Sequence, residues 1–272
     1  MGGAERSARK RRQQGGTPGS KAQSKGAKAV AAARSNGDRN KMIIGAIVVV
    51  LLAGAVIGGV IYTNSQKNKT EDQTIALQTA TNHQVVREGP VVVVGKPDAK
   101  VTVDIYEDFL CPGCGAFEKR NGEAIDKKVG EGAIKVRYHM MPMLSDASDP
   151  PGYSADSSNA ALCAADAGQF PSFHKSLFAA QPEEGARGYD KGQLIGLGKR
   201  AGITDGAFES CVNSGKYNQI AAEDFQKASK APELQRESSG RKGFFSPTVA
   251  VNNKVVETGD SGWLDRVASG AA

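Results

Sequence analysis

An uncharged run of 21 residues, 42–62, constrains what this chain can fold into more than any other feature. Roughly 20 consecutive apolar residues are enough to cross a bilayer as a helix. The 41 residues before the run carry eleven Lys or Arg against two acidic residues, Glu5 and Asp38, and positively charged flanks stay in the cytoplasm. We therefore predict a single-pass anchor in the cell membrane, with a cytoplasmic N-terminus and with residues 63–272 on the outer side.

A cleaved signal peptide is the alternative to an anchor, because Ala53-Gly54-Ala55 has the small residues of a cleavage site. The apolar run continues through Ile61, which is too long for a typical signal core and favours the anchor. Residues 1–41 contain no aromatic and almost no large aliphatic side chain, so we predict a disordered cytoplasmic tail. The tail accounts for the net charge of +6, so the charge balance does not indicate a nucleic-acid partner.

The residues beyond the anchor are numerous enough for one domain with a hydrophobic core. We predict a polar linker at 63–84 and a folded domain at 85–272. The residue patterns predict strands at 91–94, 101–109, 134–143, 247–251 and 255–257, and helices at 116–129, 154–180, 191–201, 207–230 and 262–269. This order predicts an α/β sheet whose chain is interrupted by a helical insert at about 145–243.

Two cysteines, Cys111 and Cys114, stand three residues apart between a predicted strand and a predicted helix. A Cys-x-x-Cys at the start of a helix is the arrangement of thiol–disulfide chemistry, and a location outside the membrane is oxidising. A purely structural disulfide and half of a zinc site are the alternatives. The zinc reading lacks a second cysteine pair or a spaced histidine pair, so we expect no metal and no cofactor.

Two motifs carry a resemblance to a known family: Asp-Phe-Leu-Cys-Pro-Gly-Cys at 108–114 after a strand, and Phe-Ser-Pro-Thr at 245–248 before another. With the helical insert between them, the chain resembles the DsbA-like thiol–disulfide oxidoreductases of the thioredoxin superfamily. The segment 95–104 is similar to that of membrane-anchored DsbA-like proteins of actinobacteria. The resemblance spans about 85–270 and implies a thioredoxin-like fold.

The resemblance also implies roles for individual residues. Cys111 is expected to be the nucleophile and Cys114 the resolving thiol, with Pro112 and Gly113 forming the active-site loop between them. The bond between Ser246 and Pro247 is expected to be cis, which would present the backbone of Ser246 to a substrate peptide.

Gly113 is a departure, because the best-known DsbA active sites have a histidine at this position. A protonated histidine there helps to hold the thiolate. Without it, we expect Cys111 to depend on the helix N-terminus and its backbone N–H groups.

The resemblance implies a membrane-tethered oxidase that introduces disulfides into exported proteins. Its expected partners are cysteine-bearing exported substrates and a DsbB-like or VKOR-like membrane protein that reoxidises it. A disulfide reductase or isomerase of the same fold is the first alternative. A binding or chaperone module that turns over no disulfides is the second, and the intact Cys111 and Cys114 argue against it.

Four further residues are candidates for supporting roles. Cys163 and Cys211 lie in the predicted insert, and an even cysteine count outside the membrane favours a structural disulfide between them. Glu107 and Asp108 lie just before the cysteines, where a buried carboxylate would shuttle a proton to Cys114. Asp108 would serve equally well as a cap for the turn, and both readings remain open.

Overall fold

A computed structural model describes residues 35–238 and 240–270 of the chain. Most of the predicted disordered tail, residues 1–34, lies outside the described residues. Helix α1 covers Ser35–Lys67, and its segment Lys41–Lys67 is long and apolar enough to cross a membrane, with a mean hydropathy of 2.8 over an 18-residue window. The chain divides into two compact units after Val60, within this helix, and each is described by itself.

The helix is longer than the predicted anchor at both ends. Residues 35–41, assigned from the sequence to the disordered tail, are helical, and the helix continues beyond Tyr62 to Lys67. Each polar residue at the end of an existing helix adds a backbone hydrogen bond at little cost in free energy, so the helix extends beyond the apolar run from which it was predicted.

The remaining elements belong to the second unit. Its strands are β1 (Val85–Glu88), β2 (Val91–Val94), β3 (Val101–Glu107), β4 (Ile134–Met140), β5 (Arg236–Ser238), β6 (Arg241–Gly243), β7 (Thr248–Val251) and β8 (Lys254–Val255). Its helices are α2 (Pro112–Glu131), α3 (Tyr153–Asp166), α4 (Phe170–Ala179), α5 (Lys191–Arg200), α6 (Gly206–Ser214), α7 (Asn218–Lys230) and α8 (Trp263–Ala268). Among the described residues, one sheet has the order β1-β2-β4-β3-β7-β8, and β5 pairs with β6 in a separate hairpin.

Strand β3 is central and positions the site. It runs parallel to β4, with α2 as the crossover between them, and antiparallel to β7. Tyr106 near the end of β3 pairs with Thr248 at the start of β7. The C-terminal end of β3, which leads to Cys111, and the N-terminal end of β7, which follows Pro247, therefore lie side by side at the same end of the sheet.

The insert differs from the prediction in its details. The helices predicted at 154–180 and 207–230 are each two helices, broken at Gly168 and Gly215, where φ is +71° and +62°. Glycine adopts this left-handed conformation readily, and it ends helices for that reason. The short β5–β6 hairpin was not predicted, because polar, exposed residues of this kind show no apolar alternation.

The segment predicted as a linker, 63–84, is packed onto the domain and is not a free tether. Ile75 is 0% exposed and belongs to the hydrophobic core. Thr70 is also buried, its hydroxyl donates to the carbonyl oxygen of Arg187 (2.8 Å), and Gln193 Nε2 donates to the carbonyl oxygen of Thr70 (2.6 Å). Ile75 and Leu77 are the two large aliphatic residues of a mostly polar stretch, too few to give a periodic signal, so the sequence pattern placed the start of the domain too late.

A disulfide between Cys163 and Cys211 joins α3 to α6 inside the insert. The two residues are separated by 48 positions, and both are buried. The bond ties helices that are distant in sequence, as expected of a structural cross-link.

Candidate active site

The turn between β3 and α2 presents the two cysteines differently. Cys111 caps the N-terminus of α2, with Pro112 as the first helical residue, and its side chain is partly exposed. Proline suits this position because its missing N–H would have had no partner within the helix. Cys114 lies one turn further and is 0% exposed. Both are free thiols in this structure, so it represents the reduced state.

The loop before β7 packs against these thiols. The peptide bond between Ser246 and Pro247 is cis. Cys111 Sγ lies 3.5 Å from the carbonyl oxygen of Ser246 and donates to it when the thiol is protonated, while Cys114 Sγ lies 2.8 Å from Ser246 Oγ. A β-carbon added to Gly113 would approach Pro247 Cδ to 3.3 Å, so a side chain there would press against this loop.

The two thiols have opposite pKa shifts. The pKa of Cys111 is lowered to about 6, chiefly by a hydrogen bond from the Cys114 thiol and then, against burial, by the backbone N–H groups of Cys114 and Gly113. Burial raises the pKa of Cys114 well above its usual value, and the neighbouring Cys111 thiol adds to this. Cys111 is thus the thiolate of the pair at neutral pH, and Cys114 keeps its proton.

Asp108 is a cap for the active-site turn. Its carboxylate accepts hydrogen bonds from the backbone N–H groups of Leu110 (2.8 Å) and Leu144 (2.8 Å) and from the Ser154 hydroxyl (2.7 Å). Burial raises the pKa of Asp108, and these donors oppose the shift. A carboxylate engaged on both oxygens is committed to holding backbone. Of the two readings left open for Asp108, the geometry supports the cap.

Glu107 has a different environment, in which one of its two carboxyl oxygens has no hydrogen-bond donor. It is 0% exposed, and its Oε2 atom lies 2.9 Å from Nε2 of His174. The Oε1 atoms of Glu107 and Glu118 have no hydrogen-bond donor among the described residues. Burial raises the pKa of Glu107 to about 8, and it raises the pKa of Glu118 well above its usual value. A proton shared between the two carboxyl groups would satisfy both unpartnered oxygens.

Glu118 and His174 were not among the residues predicted for the site. Glu118 lies four residues after Cys114 on α2, a spacing that places both on one face of the helix and was available as a signal. His174 is supplied by the insert helix α4, and nothing in the sequence links it to the cysteines. Burial lowers the pKa of His174, which keeps the ring neutral beside the two acids.

The ligand atoms of Glu107, Glu118 and His174 lie within 4.8 Å of one another, a spacing that suits a metal ion as well. Their mutual hydrogen bonding accounts for the arrangement without one. A cavity of about 270 Å³ adjoins this cluster, and its lining includes Glu118 and His174. Glu118 is partly exposed as a residue, although its Oε1 atom is buried.

Residues 87–262 match a protein-family model described as Thioredoxin. Over 194 residues the chain is 30% identical to the serine/threonine-protein kinase PknE of Mycobacterium tuberculosis, which covers 69% of this chain and 33% of that protein. The chain thus spans about a third of the length of the curated relatives it matches.

Solved structures give a closer match in extent. Reduced DsbA from Mycobacterium tuberculosis is 30% identical, with a TM-score of 0.50, and the match covers 71% of this chain and 100% of that one. MdbA, a thiol-disulfide oxidoreductase from Corynebacterium diphtheriae, is 22% identical with a TM-score of 0.57, over 74% of this chain and 99% of that one. The second likeness concerns the fold alone.

Proposed function

Because this chain belongs to the thioredoxin family and is a thiol–disulfide oxidoreductase of the DsbA type, we propose that it is a membrane-tethered oxidase of exported proteins. Its disulfide between Cys111 and Cys114 is the oxidant. Cysteine-bearing exported proteins are its substrates.

The observation that carries this direction is the lowered pKa of Cys111, about 6. A stabilised thiolate favours the reduced form of the pair, so the corresponding disulfide gives up its oxidising equivalents readily. It also makes Cys111 a good leaving group, because thiols of low pKa leave faster in disulfide exchange. A reductase needs the opposite equilibrium, because giving up its electrons leaves its own pair as the disulfide, and a stabilised Cys111 thiolate disfavours that product.

The reaction proceeds in two exchanges. A substrate thiolate attacks Sγ of Cys111, a substrate–Cys111 disulfide forms, and the bond to Cys114 breaks with its electron pair going to Cys114. A second substrate thiolate then attacks the substrate sulfur of the mixed disulfide, and Cys111 leaves as a thiolate. The substrate has lost two electrons and two protons. The Cys111–Cys114 pair has gained the two electrons and one proton, which Cys114 keeps, and the other proton goes to solvent because Cys111 leaves as a thiolate.

Glu107 supplies the proton that Cys114 needs in the first exchange. The pKa of Cys114 is raised, so the sulfur must be protonated as it leaves. The pKa of Glu107, about 8, keeps this carboxyl protonated at neutral pH. In its ionised form Glu107 raises the pKa of Cys114, so the two groups are close enough to interact. The cluster with Glu118 then recovers the proton from the adjoining cavity.

Location and partners follow from the N-terminal part of the chain. The candidate span Lys41–Lys67 and the eleven basic residues before position 42 support an uncleaved anchor with the catalytic domain outside the cell membrane. Each turnover leaves the cysteines reduced, so a quinone-linked membrane protein of the DsbB or VKOR kind is the proposed reoxidant. An anchored enzyme stays close to such a partner.

Two measurements on the whole chain in detergent test the oxidase. The reduction potential of thioredoxin is about −270 mV, and we expect that of the Cys111–Cys114 pair to be well above this value. The oxidised protein is expected to restore activity to a reduced and unfolded disulfide-requiring ribonuclease. Cys111→Ser should abolish this activity, whereas the double substitution of Cys163 and Cys211 by Ala should keep it.

A potential near that of thioredoxin together with no refolding of the ribonuclease contradicts the oxidase. Rapid reshuffling of a scrambled ribonuclease, without net oxidation, would assign the chain to the isomerases. Full refolding activity in Cys111→Ser contradicts the assignment of the nucleophile.

A further inference from the structure

The side chain of Gln181 reaches from the helical insert to the turn that carries Cys111. Its Nε2 atom donates to the carbonyl oxygen of Phe109 (3.0 Å) and to that of Cys111 (2.9 Å). The carbonyl of Cys111 also accepts from the backbone N–H groups of Cys114 and Gly115, at 3.0 and 3.2 Å. One amide group therefore holds two peptide units of the turn, the one between Phe109 and Leu110 and the one between Cys111 and Pro112.

Gly115 provides the space for this amide. A β-carbon built on Gly115 would lie 2.1 Å from Gln181 Oε1 and 2.9 Å from its Cδ, closer than real atoms approach. Glycine in a helix costs about 0.5–1 kcal/mol relative to alanine, so its presence in the first turns of α2 needs a reason. The packed amide of Gln181 is that reason. The two residues fit each other although they are far apart in sequence.

The amide is presented from a firmly packed support. Gln181 follows α4, whose Phe178 ring lies 4.9 Å from the ring of Phe109, centre to centre. The backbone N–H of Ala180 donates to the carbonyl oxygen of Ser176 at 3.0 Å, which continues the helical pattern to the position before Gln181. Because Phe109 is 0% exposed, helix and active-site turn are locked by both an aromatic contact and the amide.

We propose that Gln181 is a positioning residue for Cys111: its amide fixes the carbonyl groups of the active-site turn and so stabilises the Cys111 thiolate. The physical effect has two parts. The two N–H dipoles place positive charge beside the peptide that carries the thiolate. They also hold that peptide so that the N–H groups of Gly113 and Cys114 point toward the sulfur. The inference rests on the proposed function, in which a stable thiolate drives oxidation.

The test is a double-mutant cycle on the whole chain with Gln181→Ala, Gly115→Ala and the two combined. The readouts are the pKa of Cys111, from thiolate absorbance of the reduced protein, and the equilibrium constant of the cysteine pair with glutathione. Loss of one such interaction changes an equilibrium about two- to tenfold. We expect Gln181→Ala to raise the pKa of Cys111 and to make the disulfide less oxidising by that factor.

Gly115→Ala should have the same effect, because the new methyl group displaces the amide. With Gln181 already removed, Gly115→Ala should change neither readout further, and it should increase helix stability instead. Gln181→Glu replaces the donors with a carboxylate and should raise the pKa of Cys111 more than Gln181→Ala does.

Gln193→Ala is the matched control. Gln193 Nε2 also donates to two backbone carbonyl oxygens, those of Thr70 (2.6 Å) and Gln73 (2.8 Å), away from the cysteines. Its loss should lower stability in the oxidised and reduced forms alike and leave the pKa of Cys111 unchanged. A purely structural Gln181 would behave in the same way.

An unchanged pKa and glutathione equilibrium in Gln181→Ala, or effects of the two substitutions that simply add, would overturn the inference. Neither readout uses a substrate protein. A failed ribonuclease assay would therefore count against the oxidase alone, and an absent shift would count against Gln181 alone.

Discussion

Cys111 and Cys114 are three residues apart, but their environments differ. Cys111 is partly exposed at the start of α2, whereas Cys114 is fully buried. From the sequence, the backbone N–H groups of the helix start are expected to stabilise the Cys111 thiolate. They do contribute, but the largest effect on its pKa comes from the Cys114 thiol, which stays protonated because it is buried.

Removing that thiol should therefore weaken the nucleophile. Cys114→Ala is expected to raise the pKa of Cys111 by about one unit or more, because the strongest hydrogen bond to the thiolate is lost. The rate of alkylation of Cys111 as a function of pH measures this pKa. Cys114→Ser is the control: it keeps an O–H donor and should restore part of the shift. A pH profile that does not differ among the three proteins would contradict this account.

Glu107 makes the stability of the fold depend on pH. Its pKa is raised from 4.5 to about 8 in the folded chain, so the folded state binds a proton that the unfolded state has already lost. Stability from this group is present below pH 4.5 and is lost as the pH rises toward 8, at about 1.4 kcal/mol per pKa unit at most.

Glu107→Gln should remove this dependence. The difference in unfolding free energy between Glu107→Gln and the original chain should shift in favour of the variant as the pH rises from about 5 to about 8. Urea unfolding of the oxidised proteins measures it, since the active-site cysteines do not titrate there. Glu123→Gln, on the exposed side of α2, is the control. A constant difference across this range would show that Glu107 is ionised throughout.

The active-site cysteines, Ser246 and Pro247 could be predicted from the sequence, because motifs of adjacent residues carry them. The roles of His174 and Gln181 could not be predicted, because they come from the packing of α4 against the active-site turn. No local pattern encodes a contact between positions about 70 residues apart. Glu118 is an intermediate case. Its helical spacing from Cys114 can be recognised in the sequence, but its proximity to His174 cannot.

At the level of elements, the insert is held together by the disulfide between α3 and α6. In the chain-entropy description, a bond that closes a 48-residue loop stabilises the fold by about 4 kcal/mol. Replacing both Cys163 and Cys211 by Ala should lower the unfolding free energy by about that amount, as measured by urea unfolding. The potential of the Cys111–Cys114 pair, measured on the same variant, should be unchanged. A stability loss below about 1 kcal/mol would mean that packing alone holds these helices.

The positions of helices and strands could be predicted from periodicity, and their ends could not. The breaks at Gly168 and Gly215 divide helices whose apolar pattern continues across them. Strand β1 escaped prediction because it is short and half-exposed at the edge of the sheet. The breaks have a local cause, the left-handed conformation of the two glycines, which an apolar pattern does not report. For β1 the deciding factor is its pairing with β2, which a window of neighbouring residues does not report.

At the scale of the whole molecule, the segment 63–84 belongs to the catalytic domain. A chain that begins at Ile61 retains Ile75 in the core, whereas a chain that begins at Val85 loses it. Loss of a buried isoleucine costs about 2–5 kcal/mol. We expect urea unfolding to show at least this difference between the two shortened chains. Ile75→Ala in the longer one should reproduce much of it, and equal midpoints for both chains would mean that the segment contributes nothing.

The insert also limits how far this enzyme can be simplified. Ser154 bonds to Asp108, His174 bonds to Glu107, and Gln181 bonds to the Cys111 carbonyl, and all three come from the insert. A shortened protein in which the sheet elements are joined directly would keep both cysteines and the cis-proline loop. Its active-site turn would lose the hydrogen bonds that the three insert residues make. The insert is contiguous in sequence, but its residues form part of the active site. Grafting Cys-Pro-Gly-Cys onto a thioredoxin without the insert would therefore transfer the two thiols without the residues that set their pKa values and hold their turn.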